Sequence, residues 1–439
     1  MDQKISKSFS KSREPLILDE VFNDTLNLLE KTDDHYFVTG KAGTGKSTLL
    51  KLFTNTTKKN VVVLAPTGIA ALNVRGQTIH SFFGFPPRMM TTKDIKKSRY
   101  AKMYQKVDTI IIDEISMVRA DMIDNIDRFL RINRDYEWPF GGVQMIFFGD
   151  PFQLPPVIRN DEYRLLSEWG YESGYFFDAH IFESGFFFQT IELTKIYRQK
   201  EKYFIRLLDD VRMNRMDMEG LKIFNERYLP DHQRQPFQIT VSPRNYNVDR
   251  INAEELFKIN APEEKYKARI EGDFKSHLYP TEEFLTVKNR AQVIFIKNDP
   301  GKRFVNGSLA KVVFLEEDQI TVEIEEDGKI EEFAIERMTW EIVKYKLNKD
   351  KSRIKTEVIG TFTQFPIKLA WAITIHRSQG QTFDEVIIDL GKGAFAPGQS
   401  YVALSRCRSL EGIILTQPLL PRDIILDDRV VDFYEREIR

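Results

Sequence analysis

The 439 residues carry 64 lysines and arginines against 65 aspartates and glutamates, a net charge of −1, so any basic surface must be a local patch. Hydrophobic residues make up 42% and charged residues 29%, the balance of a globular chain with real cores, and no apolar run is long enough to argue for a membrane span. The single cysteine excludes a disulfide framework and any cysteine-based metal site, and the six histidines lack zinc-ligand spacing.

Residues 1–15 place Lys4, Lys7, Lys11 and Arg13 among serines with no apolar stretch behind them, which reads as a basic arm. Residues 16–29 have the apolar spacing of a helix leading into Tyr36-Phe37-Val38. Next comes Gly40-Lys41-Ala42-Gly43-Thr44-Gly45-Lys46-Ser47, then the helix-prone Thr48-Leu49-Leu50-Lys51, a match to G-x-x-x-x-G-K-[ST] between a strand and a helix. Such a loop wraps backbone N–H groups, here from Gly43 to Thr48, around a phosphate chain at a helix N-terminus. Lys46 is expected to reach the β- and γ-phosphates of ATP, and Ser47 to hold Mg²⁺.

Val61-Val62-Val63-Leu64-Ala65 predicts a second buried strand, ending at Pro66-Thr67-Gly68. Residues 67–106 read as a small insertion, aromatic and proline-rich over 78–87, then basic at Lys93, Lys96, Lys97, Arg99, Lys102 and Lys106. Alone, such a charge run is an ordinary solvated face. The next apolar strand, 109–112, ends in Asp113-Glu114, and another, 143–148, ends in Gly149-Asp150-Pro151-Phe152-Gln153. Carboxylates at the carboxyl edge of a parallel sheet suit Mg²⁺ coordination by Asp113 and activation of an attacking water by Glu114. Gln153 is placed to hydrogen-bond the γ-phosphate or that water.

The pattern restarts near Thr190 with Tyr197-Arg198-Gln199, a helical stretch through Met218, a strand over 237–241 and a helix over 245–257. From about 261 to 357 short alternating segments and hairpin signals predict an antiparallel β module, with a turn at Asp327-Gly328 and a last hairpin bearing Lys344, Lys346, Lys349, Lys351, Arg353 and Lys355. The α/β rhythm returns with a strand at 358–362, a helix-like 368–378, a strand at 385–390, a helix at 398–406 and a strand at 412–415. Arg198 and Arg406 both fall in this second α/β unit. An arginine delivered across a cleft neutralises charge on a transferring phosphoryl group and couples hydrolysis to closure.

Taken together, Gly40–Ser47, Ala65-Pro66-Thr67-Gly68, Asp113-Glu114, the segment 149–156, Tyr197-Arg198-Gln199, the run 372–382 and Tyr401 to Arg406 resemble, in order, the motifs of superfamily-one helicases. The likeness is to the branch moving 5′ to 3′, with RecD and Dda. Residues 121–144, ending Trp138-Pro139-Phe140-Gly141-Gly142-Val143-Gln144, are similar to the signature segment of its Pif (petite integration frequency) family.

The resemblance implies an ATP-dependent, DNA-stimulated helicase that unwinds duplex and puts G-quadruplexes and RNA–DNA hybrids among the substrates to test. It implies two RecA-like α/β domains in tandem: 1–66 with 107–189, and 190–260 with 358–439. A wedge-like insertion would occupy 67–106, and an SH3-like barrel 261–357. Lys46, Ser47, Asp113, Glu114, Gln153, Arg198 and Arg406 match the ATPase residues, and Gly380 matches the motif beside the γ-phosphate. Thr67, Gly68, Asn73, His80, Phe82, Thr374, His376 and Ser378 match the motifs lining the single-strand channel, where aromatics such as Phe82 or Phe85 offer stacking platforms.

Expected partners are single-stranded DNA and single/double-strand junctions, with a protein monomeric when free and roles in DNA repair, recombination and telomere maintenance. Two departures from the family stand out. Val21 follows Glu20 where the family's adenine-reading glutamine is expected, and Ala310 stands where a glycine is common, which predicts an altered turn. The lack of long extensions leads to the expectation of a minimal bacterial or viral motor in the cytoplasm, or a nuclear or mitochondrial one were it eukaryotic. Two other classes are open: an ATP-driven remodeller that strips proteins without processive unwinding, and a nucleotide-gated switch. The latter lacks Asn-Lys-x-Asp, since Asn348-Lys349-Asp350-Lys351 ends in lysine.

Overall fold

The computed structural model describes residues 20–326, 329–348, 350 and 352–438. The basic arm, the Asp327-Gly328 turn, Lys349 and Lys351 lie outside the described residues. Six strands form a parallel sheet: β1 (Tyr36–Gly40), β2 (Val61–Ala65), β3 (Gln77–Thr78), β4 (Thr109–Ile112), β5 (Gln144–Phe148) and β6 (Gln189–Leu193), in the order β3-β2-β4-β5-β1-β6. Their apolar runs are continuous because both faces are covered. Tyr36, Val38, Ile111 and Phe148 pack under helices α1 (Glu20–Lys31) and α2 (Lys46–Thr56). Phe37, Ile110, Ile112 and Phe147 face the other way, toward Ile123, Ile126 and Leu130 of a long helix, Ala120–Arg134.

A second parallel sheet is built from Ile239–Ser242 (β7) flanked by Ala372–Thr374 and Val386–Ile388, with Ile413–Leu415 outside the latter. Phe204, Leu207, Leu208 and Val211 of the helix Lys202–Arg212 and Tyr401 to Leu404 of the helix Gln399–Leu404 fill its core. The sole cysteine, Cys407, is buried there, its Sγ donating to the Asp384 carbonyl. No helix among the described residues is long and apolar enough to cross a membrane.

Between β7 and the rest of the second sheet lie antiparallel strands. Five form one sheet, Lys329–Ile335 through Ile320–Glu326, Leu309–Leu315 and Gln292–Phe295 to Ile367–Leu369. A long hairpin, Met338–Leu347 with Ile354–Gln364, adds Arg269–Gly272 as a third strand. The hairpin reaches back to the first sheet: Tyr345 Oη accepts from Val63 N–H at 3.0 Å, Gln77 Nε2 donates to the Val343 carbonyl at 2.6 Å and Ile354 N–H donates to Asn60 Oδ1 at 3.2 Å.

Several expectations are corrected. The strand at Thr190 does not open the second α/β unit: β6 pairs along all five residues with β1 and forms an edge of the first sheet. Part of the 67–106 insertion is main sheet, since β3 pairs with β2. Residues 358–362 belong to the hairpin rather than to a parallel sheet, and Ile367–Leu369 completes the five-stranded sheet, so the β module extends past 357. The helix expected over 368–378 is two short strands and the four-residue helix Ile375–Ser378, because pairing with Gln292–Phe295 and β7 outweighs local propensity. Ala310 is not in a turn; it is buried within Leu309–Leu315 opposite Val293, and the turn sits at Gly307, φ +96°.

The signature segment closes the first domain's base. Asp127 Oδ1 accepts from the Phe140 N–H at 2.6 Å, folding the loop back onto its helix, while Arg134 Nε donates to the Gly141 carbonyl at 2.6 Å. Gly141 has φ +59°, and a Cβ there would meet the Leu130 carbonyl oxygen at 2.8 Å. Gln144 then accepts from Lys59 Nζ at 2.9 Å and Thr109 Oγ1 at 2.7 Å, and donates to the Thr32 and Asp34 carbonyls at 3.0 and 2.9 Å. Its side chain is saturated.

Candidate nucleotide site and strand-facing residues

Every chemically suggestive residue of the first sheet leaves its carboxyl edge: the loop after β1, Asp113-Glu114 after β4, Asp150 after β5 and Arg198 beyond β6. The loop after β1 needs its glycines. Gly43 and Gly45 have φ +84° and +90°, and a Cβ on them would meet Arg198 Cβ at 2.6 Å and Phe22 Cζ at 2.8 Å. Gly45 precedes α2, so N–H groups of the first turn open into a cleft of about 1170 Å³. Gly43 to Thr48, Glu114, Gln153, Arg198, Gly380 and Arg406 all line it.

Lys46 Nζ donates to the Gly40 and Lys41 carbonyls at 2.5 and 3.1 Å, folded over its own loop. Burial holds its pKa below the ordinary lysine range, against the raising pull of Asp150 and Glu114. Arg198 Nη1 donates to the Ser405 carbonyl at 3.0 Å, and burial brings the guanidinium down to about 10. Arg406 is 1% exposed; it donates to the carbonyls of Val402 at 2.7 Å and Ser378 at 3.2 Å and to Ser405 Oγ at 2.8 Å. Burial first, then the Arg198 charge, drives its pKa well down. Three cations with depressed pKa values around one cleft fit a polyphosphate, whose charge would relieve their desolvation and mutual repulsion.

Asp113 is pushed up to about 7 by burial and by Glu114, and Glu114 is raised by burial. Two adjacent buried carboxylates whose charge is disfavoured, with the Ser47 hydroxyl on the adjoining loop, offer hard oxygen donors of the kind Mg²⁺ takes. Glu114 adopts φ +52°, an uncommon conformation for a side chain of this kind, at the turn where the strand ends.

Gln153 ties to the second unit: Gln379 Nε2 donates to its Oε1 at 3.3 Å. Sequence reasoning missed the stronger link beside it. Arg212 Nη2 donates to Asp150 Oδ1 at 3.1 Å in a pair whose side chains are 1% and 0% exposed, and the guanidinium lies 3.9 Å from the Phe152 ring centroid. Burial disfavours the Arg212 charge, but Asp150 overrides it and raises the pKa. Tyr401 Oη donates to Asp150 Oδ2 at 3.4 Å and accepts from the Ala42 N–H of the phosphate loop at 2.9 Å. A signal existed: Phe204, Leu208, Val211 and Arg212 share the helix's apolar face, an arginine where an aliphatic residue would ordinarily stand.

The site lies between the two sheets. Arg406 follows the second unit's helix, whereas Arg198 follows β6 of the first and meets the second unit through Ser405.

Phe22 and Tyr197 flank the loop, ring centroids 6.4 Å apart and edge to face, and both line the cleft, whereas Val21, at the departure from the family pattern, is 45% exposed.

The eight strand-channel candidates divide. Thr67 and Asn73 are exposed and His80 and His376 half-buried, the histidine pKa values lowered by burial. Thr67 Oγ1 caps the helix Gly68–Asn73 by accepting from the Ala70 N–H, and a Cβ on Gly68 would meet Leu278 Cδ2 at 2.5 Å. Thr374 and Ser378 are buried in local roles: Thr374 Oγ1 accepts from the Arg377 N–H at 3.3 Å and Ser378 Oγ donates to the Ile375 carbonyl at 2.7 Å. Phe82 and Phe85 are 5% and 8% exposed in an aromatic cluster with Phe83, Tyr104 and Phe129, so neither is a stacking platform. Burying a ring of that size is worth more than leaving it on the surface.

Comparison with known proteins bears on this arrangement. The profile of the PIF1-like helicase family matches residues 14–217. The chain is 32% identical over 424 residues to the ATP-dependent DNA helicase Pif1 of Bdellovibrio bacteriovorus, covering 94% of this chain and 90% of that protein. Its fold is similar to Bacteroides sp Pif1 in complex with ADP-AlF4, with a TM-score of 0.89, 40% identity and coverage of 97% and 98%. Against Bacteroides Pif1 bound to ssDNA the TM-score is 0.69 at 40% identity, covering 96% and 97%.

Proposed function

The chain belongs to the PIF1-like helicase family, and from that membership we propose that it is an ATP-dependent DNA helicase translocating 5′ to 3′ on single-stranded DNA and unwinding the duplex ahead. The observation that carries the reading is the cleft between the two parallel sheets, lined by Lys46 and Glu114 of the first unit and Arg406 of the second. In this reading Gly43 to Thr48 bind the triphosphate and Ser47 and Asp113 hold Mg²⁺. Bound there, the ion would supply charge neutralisation at the β- and γ-oxygens. Glu114 orients and accepts a proton from the attacking water. Gln153, linked to Gln379, couples the state of the γ-phosphate to the second unit. Arg198 and Arg406 stabilise charge on the transferring group only when the units are closed, so hydrolysis and domain closure go together.

Single-stranded DNA would lie across Thr67, Asn73, His80 and His376, with the part of the insertion beyond β3, up to residue 106, as the wedge. The small polar groups suit backbone contact without sequence reading. Support for DNA as partner comes from the Bacteroides neighbour bound to ssDNA, and support for the polarity from the motif resemblance. G-quadruplexes, RNA–DNA hybrids and a monomeric free state complete the proposal.

Strand separation on duplexes with only a 5′ tail or only a 3′ tail tests it. Unwinding of the 5′-tailed duplex alone is expected. Unwinding from the 3′ tail overturns the polarity, and ATP-driven protein displacement without unwinding of either overturns the helicase reading in favour of a remodeller. Lys46→Ala should abolish DNA-stimulated ATPase while single-strand binding persists; normal hydrolysis by that variant would sink the site assignment.

A further inference from the structure

The signature segment begins on the helix Ala120–Arg134, whose inward face, Ile123, Ile126 and Leu130, packs against the first sheet. Its other face, with Asp124, Asn125 and Arg128, lines a cavity of about 480 Å³. Every wall belongs to the first unit: this helix, residues 90–92 of the insertion and the segment 169–184. Asp124 ties the walls together, accepting from Tyr171 Oη at 2.8 Å and from the His180 and Ile181 N–H groups at 3.0 and 2.9 Å. The insertion is held to the same helix, Ser98 N–H donating to Asn133 Oδ1 at 2.6 Å and Phe85 lying edge to face against Phe129 at 5.6 Å. The shape of the cavity is thus set within one unit. Asn125 is 4% exposed, yet among the described residues its side-chain amide has no hydrogen-bond partner. An amide buried unpaired is costly, and this one faces open space. Tyr171 and His180 are stacked, centroids 4.2 Å and planes 5° apart, and the His180 side chain is 43% exposed. Asp121 and Asp127 are committed to Arg119 and Arg131, while Arg128, exposed, has no carboxylate partner among the described residues.

The lining therefore offers a flat aromatic stack, an amide with a donor beside an acceptor, and a guanidinium at the rim, while its acids are already satisfied. A nucleotide uses all three: its ring stacks on His180, the base edge pairs with Asn125 and the phosphate meets Arg128. We propose that this cavity is a nucleobase pocket, distinct from the triphosphate cleft, with which it shares no lining residue. The base comes from a DNA strand or from a free nucleotide. Burial and then Arg119 hold the His80 pKa down against Asp121, which lines the pocket, so a strand lying on His80 passes close by. A base seated there gives the first unit a hold on the strand that does not depend on where the second unit stands. The strand route rests on the helicase reading above; the pocket itself does not.

The test uses the full chain with its phosphate loop saturated by Mg²⁺ and tripolyphosphate, which carries no base. One arm titrates 2-aminopurine deoxyribonucleoside monophosphate and reads quenching of its fluorescence. The other compares, at one fixed salt concentration, the affinity for a single DNA strand with that for a strand of equal length made of abasic residues. In the arm that reports the true source, Asn125→Leu and His180→Ala should each reduce the wild-type signal about tenfold, and His180→Phe, which keeps the stack, should restore it. Basal ATPase should stay at the wild-type rate. Loss of the quench alone identifies a free nucleotide, loss of the preference for base-bearing strand alone identifies DNA, and loss of both gives the pocket two sources. No change in either arm overturns the proposal. Asn125→Leu should also keep or raise the urea midpoint, because the amide has no bond to lose; a marked fall would give Asn125 a structural role and overturn its part in the pocket. If the wild type unwinds nothing, the strand route fails with the helicase reading, and the free-nucleotide arm still decides the pocket.

Discussion

Gly398 sits at φ +74°, and a Cβ there would meet the carbonyl oxygens of Gln153 at 2.5 Å and Phe152 at 2.6 Å. Those carbonyls belong to the rigid turn after β5, so Gly398 is where the second unit's backbone touches the turn that carries Gln153. Gly398→Ala should lower DNA-stimulated ATPase by about tenfold or more, since a misplacement of about 1 Å at such a contact is enough, while single-strand binding stays near wild type. Steady-state ATPase against DNA concentration would check it; an unchanged maximal rate would remove Gly398 from the coupling.

The Asp150–Arg212 pair makes a second prediction at this scale: Arg212→Met leaves a carboxylate buried without its partner and should cost about 3–5 kcal/mol in urea unfolding. Asp150→Asn in the same background should recover part of that loss. The phosphate loop, both carboxylates and both arginines were legible in the sequence because each follows an apolar strand or sits in a recognisable motif. Arg212 and Tyr401 were not, because their importance lies in meeting Asp150 across 62 and 251 positions of chain.

At the level of elements, buried parallel strands announced themselves as unbroken runs of branched residues, and all four main strands of the first sheet fell where the runs are. What could not be read was which sheet a strand joins. The residues of β6 look like any new beginning, and only pairing with β1 assigns them. The same holds for 354–378, where the hairpin and the Gln292–Phe295 partner dictate extended structure.

His35, just before β1, offers a check on how the first sheet is seated. Its Nδ1 accepts from the Met145 N–H at 3.0 Å and its ring lies against Phe186 at 4.4 Å. Burial lowers its pKa to about 4, against a weaker raising effect of Asp34. Between the ordinary histidine value and about 4 the unfolded chain binds a proton that the folded chain refuses, so stability is complete at neutral pH and declines as pH falls through that window. Between pH 7 and pH 5 the decline attributable to His35 should be about 2 kcal/mol. His35→Gln, which keeps an acceptor for Met145, should show a flatter dependence between pH 7 and pH 5 in urea titrations, and an identical slope in both proteins would contradict this assignment.

For the molecule as a whole, two parallel sheets share one cleft and the hairpin bridges back to the first sheet through Tyr345, Gln77 and Asn60. A ligand that touches both units should therefore stabilise both at once. A non-hydrolysable ATP analogue with Mg²⁺ at about a hundred times its Kd should add about 2.7 kcal/mol to unfolding. That gain should appear as one shifted transition in calorimetry, and Lys46→Ala should lose it. Removing divalent metal with a chelator should abolish the DNA-stimulated ATPase and restore it on adding Mg²⁺. A chelator-insensitive rate would count against the role given to Ser47 and Asp113.

Cys407 has a consequence of a different sort. The chain's only thiol is fully buried, and burial raises its pKa to about 12, so at neutral pH it is a thiol rather than a reactive thiolate. Oxidants and alkylating reagents should leave the native protein untouched, and a cysteine introduced at an exposed position would be the one site to react. Two such positions, one on each parallel-sheet unit, would accept a pair of dyes without any background substitution. The opening and closing of the cleft during turnover then becomes a distance that can be watched in single molecules.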